Sequence, residues 1–480
     1  MAGTQRLNPL DASWLMVDSR DTPMHVAGLQ IFSLPPDAPS DFMHKLLAHL
    51  KSATELAPPW NLKLRSAALR RLLPVWVTDH DIDIDYHVRH SALPKPGGER
   101  ELGMLVSRLH SHQLDFARPL WECHLIEGLE NNRFALYTKM HHALMDGVAG
   151  MRMLQRAMSE RQDAKNLPPP WAAKAPVKEK RDGDETPSAD RALTSIQESL
   201  RQQAKSIPEL GKALGRLVNA ARTEDAELIA PFGAPKSVLN GRITGARRFA
   251  TQQYDLAQLK GLAKAAGGTL NDVVLWLCAT ALRRFLKESH ALPPKTLTAG
   301  IPVNVRPADD QGSGNAISFV MANLGTDIAD ARKRLKTIQA SMGRAKEHLQ
   351  SLPRPALSQY TMLVMAPYIL SLVTGVGGRT KPVFNVTISN VPGPDKPLYF
   401  HGARLEAMFP LSLLAHGGAL NITCVSYGGK LNFGFTGARD TLPHMQHLAV
   451  YTGEALAELQ EIVGKARADN RSEESADATA

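Results

Sequence analysis

The sequence predicts an α/β protein of two similar-sized lobes with a cleft between them. Three observations carry this. At 480 residues the chain is longer than one ordinary domain and implies roughly two or three. Strand-like and helix-like hydrophobic periods alternate on both sides of a middle segment. That segment, with Pro168, Pro169, Pro170, Pro176 and Pro187 around the charged run KEKRDGDE, has the composition of a linker. The division expected is a first lobe over 1–158, a linker and connecting helix over 159–235, a second lobe over 236–465 and a disordered polar tail over 466–480. Ligand clefts commonly lie between such halves.

In the first lobe MHVAGLQIF (24–32) reads as a strand and FMHKLLAHL (42–50) as a helix. Between Arg133 and Met140, the side chains of Phe134, Leu136, Thr138 and Met140 share one face, the pattern of a half-buried strand. Val148, Met151, Leu154 and Met158 then recur at helical spacing, so KMHHALMDGVAGM (139–151) reads as strand, tight turn, helix. A helical pattern from Ser188 to Leu217 should kink at Pro208. In the second lobe Thr269 and Asp272 form a capping-box pattern ahead of VVLWLCATAL, apolar nearly all round and so a buried helix. LTAGIPVNV (297–305) and PVFNVTISNV (382–391) read as strands, and LNITCVSY (420–427), Gly428–Gly429 and KLNFGF (430–435) as a hairpin. Pro355 to Gly378 contains no charged residue and is long enough to span a bilayer. Its prolines, serines and glycines dilute its hydrophobicity, which favours a buried or membrane-touching helix, or the wall of an apolar channel.

Composition, at 43% hydrophobic and 21% charged residues, is that of a soluble globular protein. A formal charge of +9 favours anionic partners: phosphate-bearing ligands or anionic membrane surfaces. The basic pairs are scattered and no aromatic residues interleave with them, which argues against nucleic acid. Cys123, Cys278 and Cys424 lie far apart with no zinc spacing, and MAGTQRLNPLDASWLM shows no basic region followed by an apolar core. A cytoplasmic location is expected.

The chemistry concentrates in HHALMDG (141–147). A histidine titrating near neutrality is the natural general base for activating a hydroxyl or thiol. Neighbouring strand residues point to opposite faces, so His141 and His142 cannot both enter one cleft unless the turn reorients one. Asp146 could orient an imidazole or simply brace the turn, and Gly147 is expected to permit a backbone conformation other residues resist. A metal site would need further ligands; HVRH (87–90) and HSH (110–112) supply histidines that nothing in the sequence ties to this turn, so no metal is expected. GxSxG, GxxxxGK[ST] and GxGxxG are all absent, which removes support for a serine hydrolase or nucleotide-driven chemistry.

HHALMDG resembles the HHxxxDG signature of the acyl-CoA-dependent acyltransferases, which include chloramphenicol acetyltransferase and peptide-synthetase condensation domains. More narrowly, the chain resembles the bacterial wax ester synthase/acyl-CoA:diacylglycerol acyltransferase family. The supporting stretches span nearly its whole length: LNPLDASWLMV, TPMHVAGLQIF, RPLWE (118–122), LNDVVL (270–275), ISNVPGP (388–394) and LNITCVSYGGKLNFGF (420–435). The DFGWG element of plant alcohol acyltransferases is missing; Asn432–Phe433–Gly434–Phe435 is a loose echo. The resemblance implies two chloramphenicol-acetyltransferase-like lobes with a cleft and tunnel. It implies acyl-CoA as donor, with no further cofactor, and a fatty alcohol or diacylglycerol as acceptor. His142 would be the base, His141, Asp146 and Gly147 would support the site, and Asn271 would either bond a developing oxyanion or be an ordinary first-turn polar residue. It also implies peripheral contact with the inner membrane face or lipid droplets. The alternatives are a condensation-type acyltransferase using a carrier-protein donor or an amine acceptor, and a catalytically silent lipid-binding protein.

Overall fold

The computed structural model describes the chain apart from residues 1–4, 8, 73, 146, 165, 173–211, 213–214, 218, 220–222, 224–227, 230, 305–316 and 478–480. The helix expected from Ser188 lies almost wholly outside the described residues, as do Pro208 and Asp146.

The chain opens with β1 (Gln5–Arg6) and α1 (Pro9–Val17), then enters β2 (His25–Ser33) and α2 (Phe42–Lys51). Two short strands, β3 (Leu62–Leu64) and β4 (Val75–Thr78), complete a small sheet with β1. After the one-turn helix α3 (Ile84–His87) come β5 (Val88–Ala92), α4 (Glu99–Ser111), β6 (Trp121–Leu129) and β7 (Arg133–His141). Helix α5 (Gly147–Arg156) follows the HHALMDG turn.

The second half holds β8 (Arg247–Asp255), α6 (Leu256–Ala265), α7 (Leu270–Glu288), β9 (Thr298–Asn304) and β10 (Ile317–Asn323). Helices α8 (Ala331–Gln350) and α9 (Arg354–Val373) precede β11 (Val386–Val391), β12 (Tyr399–Phe400) and β13 (Ala403–Leu411). The hairpin β14 (Leu420–Tyr427) and β15 (Lys430–Ala438) and a final helix, α10 (His447–Asp477), complete it. That helix takes in most of the segment expected as a tail, whose alanine, glutamate and arginine content suits helix.

Two six-stranded sheets result, ordered β12-β13-β2-β7-β6-β5 and β10-β9-β11-β14-β15-β8. The first is not closed within residues 1–158. Strand β13, some 370 residues downstream of β2, pairs with it antiparallel, Leu411 opposite Ala27 and Arg404 opposite Ser33. The second sheet's β15 lies against this exchanged strand at Gly434, where any Cβ would collide with the Pro410 carbonyl oxygen. The NFGF stretch thus marks the junction between the sheets. Helix α4 also crosses to the second half: the Phe249 amide donates to Ser107 Oγ at 3.0 Å and the Arg247 amide to Ser111 Oγ at 2.9 Å.

The second half is the larger apolar core. In α7 every residue from Asp272 to Leu282 is buried, and the Thr269–Asp272 capping box forms as the spacing predicts. Strand β7 departs from the half-buried expectation, because all of Phe134–His141 is buried. Phe134, Leu136 and Met140 pack with Trp121 and Leu405, while Ala135 and Tyr137 pack on the other side with Val106 and Phe249. The sequence pattern hid this second covering because its face also carries Lys139 and His141.

Candidate active site at the end of a buried strand

His141 ends β7 opposite His25 of β2 and is 1% exposed, whereas His142 has left the strand and is half-buried in the turn. The chain therefore separates the two imidazoles. The His141 amide donates to the Leu120 carbonyl at 2.9 Å and the His142 amide to the Met24 carbonyl at 2.8 Å, so the residues that lead into β6 and β2 hold the turn. Leu120 belongs to the RPLWE stretch, whose Trp121 is sealed among Trp60, Trp171 and His87 and donates its indole N–H to the Trp60 carbonyl.

The N-terminal helix grips both histidines. The Trp14 ring lies 4.6 Å, centre to centre, from that of His142. Four residues on, buried Asp18 accepts the Met24 amide at 2.7 Å and places its other oxygen on Gln113 Nε2. Its Oδ2 also lies 3.4 Å from His141 Nε2, long for a hydrogen bond. His141 Nδ1 accepts the Ala143 amide at 3.1 Å, so the ring proton sits on Nε2, facing that carboxylate. Met24 links the two effects, its N–H on Asp18 and its carbonyl on His142.

Behind the turn lies a buried polar layer. Lys139, 1% exposed, donates to the carbonyls of Leu109 (3.1 Å) and His112 (2.9 Å) and lies 3.4 Å from Glu122 Oε2. Burial would raise the Glu122 pKa, but His124, Lys139 and Arg89 together hold it down to about 2. His110 Nε2 donates to the Ser412 carbonyl at 3.1 Å, leaving Nδ1 to accept the Tyr137 hydroxyl at 2.9 Å. Burial first of all pushes His110 down to about 3. His25, whose Nε2–H donates to the His110 carbonyl at 2.8 Å, is likewise held neutral by burial and by His110. His142 is thus the half-buried member of a histidine-rich strand end whose buried members His25, His110 and His141 are fixed.

Gly147 does not meet its expectation: it opens α5 without a positive φ, and a Cβ there would meet nothing within 4 Å. The tight position is Gly150, where a Cβ would come 2.7 Å from Met140 Sδ. Asn271 sits half-buried in the first turn of α7, beside the capped helix N-terminus. His87 donates Nδ1–H to the Trp121 carbonyl at 2.7 Å, so it and His110 serve packing near the turn. Among the described residues no three His, Cys, Asp or Glu side chains gather as a metal site. A cavity of about 660 Å³ lined by His49, Leu167 and His401 opens at the β12–β13 turn, the far end of the sheet from His142. Sequence reasoning missed Trp14, Asp18, Lys139 and Glu122. Trp14, Glu122 and Lys139 lie inside the stretches LNPLDASWLMV, RPLWE and KMHHALMDGVAGM, but nothing in those stretches showed where the side chains go.

The fold is that of the two-lobed acyltransferases. The first condensation domain of the calcium-dependent antibiotic synthetase aligns with a TM-score of 0.58 over 96% of each chain, and at 17% identity that likeness is of fold alone. Within that class the assignment is narrower. The family model described as wax ester synthase/diacylglycerol acyltransferase catalytic domain matches residues 7–274, and that of the WS/DGAT C-terminal domain matches 313–460, so the chain belongs to this acyltransferase family. The wax ester synthase/diacylglycerol acyltransferase of Marinobacter aquaeolei VT8 aligns at 40% identity and a TM-score of 0.75, over 96% of this chain and all of that one. A Mycobacterium tuberculosis protein named as a diacylglycerol O-acyltransferase is 44% identical over 96% of this chain and 98% of its own. The O-acyltransferase WSD of Acinetobacter baylyi is 36% identical over 96% and 98%.

Proposed function

We propose that this acyltransferase moves a fatty acyl group from acyl-CoA to the hydroxyl of a long-chain alcohol or a diacylglycerol, with His142 as general base. The observation that carries the reading is the contrast at the strand end: His141 is locked inward while His142 emerges, held through its amide and its ring. His142 takes the acceptor's hydroxyl proton as the oxygen attacks the thioester carbonyl. The tetrahedral intermediate collapses, the carbon–sulfur bond breaks, and the CoA thiolate leaves with the proton returned by the imidazolium. No acyl-enzyme forms, and acyl-CoA is a substrate rather than a cofactor. Asn271, in the first turn of a helix, would stabilise the oxyanion. The relatives' names support both acceptors, and lipid acceptors imply work at a membrane or lipid-droplet surface, on the cytoplasmic side.

The test is an acceptor panel with purified protein and palmitoyl-CoA, reading CoA release with a thiol reagent. Hexadecanol, diacylglycerol or both should drive release above the acceptor-free rate. Turnover only with a carrier-protein thioester or an amine would replace this reading with condensation-type transfer, and none with any acceptor would point to a silent lipid-binding protein.

A further inference from the structure

Helix α9, without a charged residue after Arg354, is buried on one side only. Tyr360 and Val364 are 4% and 3% exposed, and Tyr368 packs on Phe384 at 5.0 Å between ring centres. Met362 is 71% exposed, Leu370 62%, Leu363 47% and Val373 46%, with Ala366 also exposed between them. At about 100° per residue these five positions fall within one stripe covering roughly a third of the helix circumference. Val376, just past the helix end, extends it.

Along the chain, the charged residues that flank this stripe are cationic. The sequence has no acidic residue between Glu347 and Asp395. Exposed Arg379 and Lys381 follow the stripe directly, and exposed Arg242 donates to the Gly375 carbonyl at 3.1 Å, anchoring a third cation at the helix end. There Arg242 Nη2 lies 2.9 Å from His416 Nε2 while the Ile243 amide points at His416 Nδ1 from 3.2 Å. A neutral imidazole can accept only one of these, so one donor at this corner is left over, although the Asp21 carboxylate acts on the same imidazole. An apolar stripe flanked by cations is the pairing that holds a helix in the plane of an anionic bilayer, each part too weak alone. Among the described residues no single helix is long and apolar enough to cross one. Position adds a further link: α9 packs against α1, which carries exposed Met16 and sets Trp14 on His142.

We propose that the Met362–Leu370–Val373 face of α9, with Arg242, Arg379 and Lys381, docks this protein reversibly on an anionic lipid surface. The proposal deepens the acyltransferase reading, on which it rests for its purpose: the docked face lies one helix away from the base that a lipid-borne acceptor must reach.

The experiment is co-sedimentation of the full chain with vesicles of phosphatidylcholine alone or with about one-third phosphatidylglycerol. Wild type should pellet with the anionic vesicles and be released by salt. Met362→Glu combined with Leu370→Glu should lower partitioning roughly tenfold or more, whereas Met104→Glu, at another exposed apolar side chain, should leave it unchanged. A second readout does not depend on loss of binding. Cys123, Cys278 and Cys424 are buried, so a Leu370→Cys variant can be labelled selectively with a polarity-sensitive fluorophore. Its emission should shift to the blue on anionic vesicles and stay unshifted without them. Sedimentation of the double variant like wild type, an unshifted label, or a wild type that ignores vesicles but dimerises through this face would each overturn the proposal. CoA release from a short-chain acceptor in vesicle-free solution is measured in parallel. Its absence in wild type would fault the acyltransferase reading, while its persistence in the double variant confines the defect to docking.

Discussion

The two lobes differ in what they bury beside their apolar residues: chiefly amides and hydroxyls in the second, a dense cluster of titratable groups in the first. Around α7 the second lobe is an apolar core in which Trp276, Leu275 and Leu282 are wholly sealed. The first lobe seals Lys139, Glu122, His25, His110 and His141 against the end of β7. Burying such groups costs free energy unless each finds a partner, and here nearly every one is tied to a backbone carbonyl, a hydroxyl or an opposite charge. The difference teaches where the molecule spends its stability: the second lobe supplies it, and the first uses part of it to fix one strand end and the turn bearing His142.

If that division holds, damage to the two regions should differ in kind. Trp276→Ala should cost the most stability, about 3–5 kcal/mol, with turnover per folded molecule unchanged, as read by urea unfolding beside CoA release. Lys139→Met should cost about 3 kcal/mol by leaving Glu122 underpaired, and should also lower turnover because the strand end shifts. Equal turnover loss in the two variants would break the comparison. Asp18→Asn should keep the fold yet lower kcat about 100-fold through misplacement of the turn, with KM for acyl-CoA little changed.

The smallest effect concerns pH. His110 has a folded-state pKa of about 3, below its ordinary 6.5, so its stabilising contribution is fully present above pH 6.5 and is lost as pH falls toward 3. His25 adds in the same direction. Stability should therefore drop by about 2 kcal/mol for His110 alone between pH 6.5 and pH 5, read as the urea midpoint. His110→Gln should flatten that slope.

Much of this was legible in the sequence where local pattern governs. The strands near 24–32 and 133–140, the capping box at Thr269 and the hairpin at Gly428–Gly429 all form close to their expected bounds. What stayed hidden depends on distant pairing. The period of Ala403–Leu411 gives no sign that it completes the other lobe's sheet, because register across so long a separation is set by tertiary packing. Nothing in the sequence marked Lys139 and Glu122 as buried, since charge in a strand normally marks the wet face. The α9 segment showed its apolar content but not which side would stay exposed. At the candidate site, HHALMDG picked out the strand end and turn, yet only the fold distinguished the two histidines and brought Trp14 and Asp18 to them.

That distinction is the central claim, and the rate of CoA release from palmitoyl-CoA in the presence of the best acceptor tests it most directly. His142→Ala should reduce the rate by about 10²–10⁴-fold while the folded fraction, followed by circular dichroism, stays at the wild-type level. A folded His142→Ala protein that turns over at the wild-type rate would contradict the account.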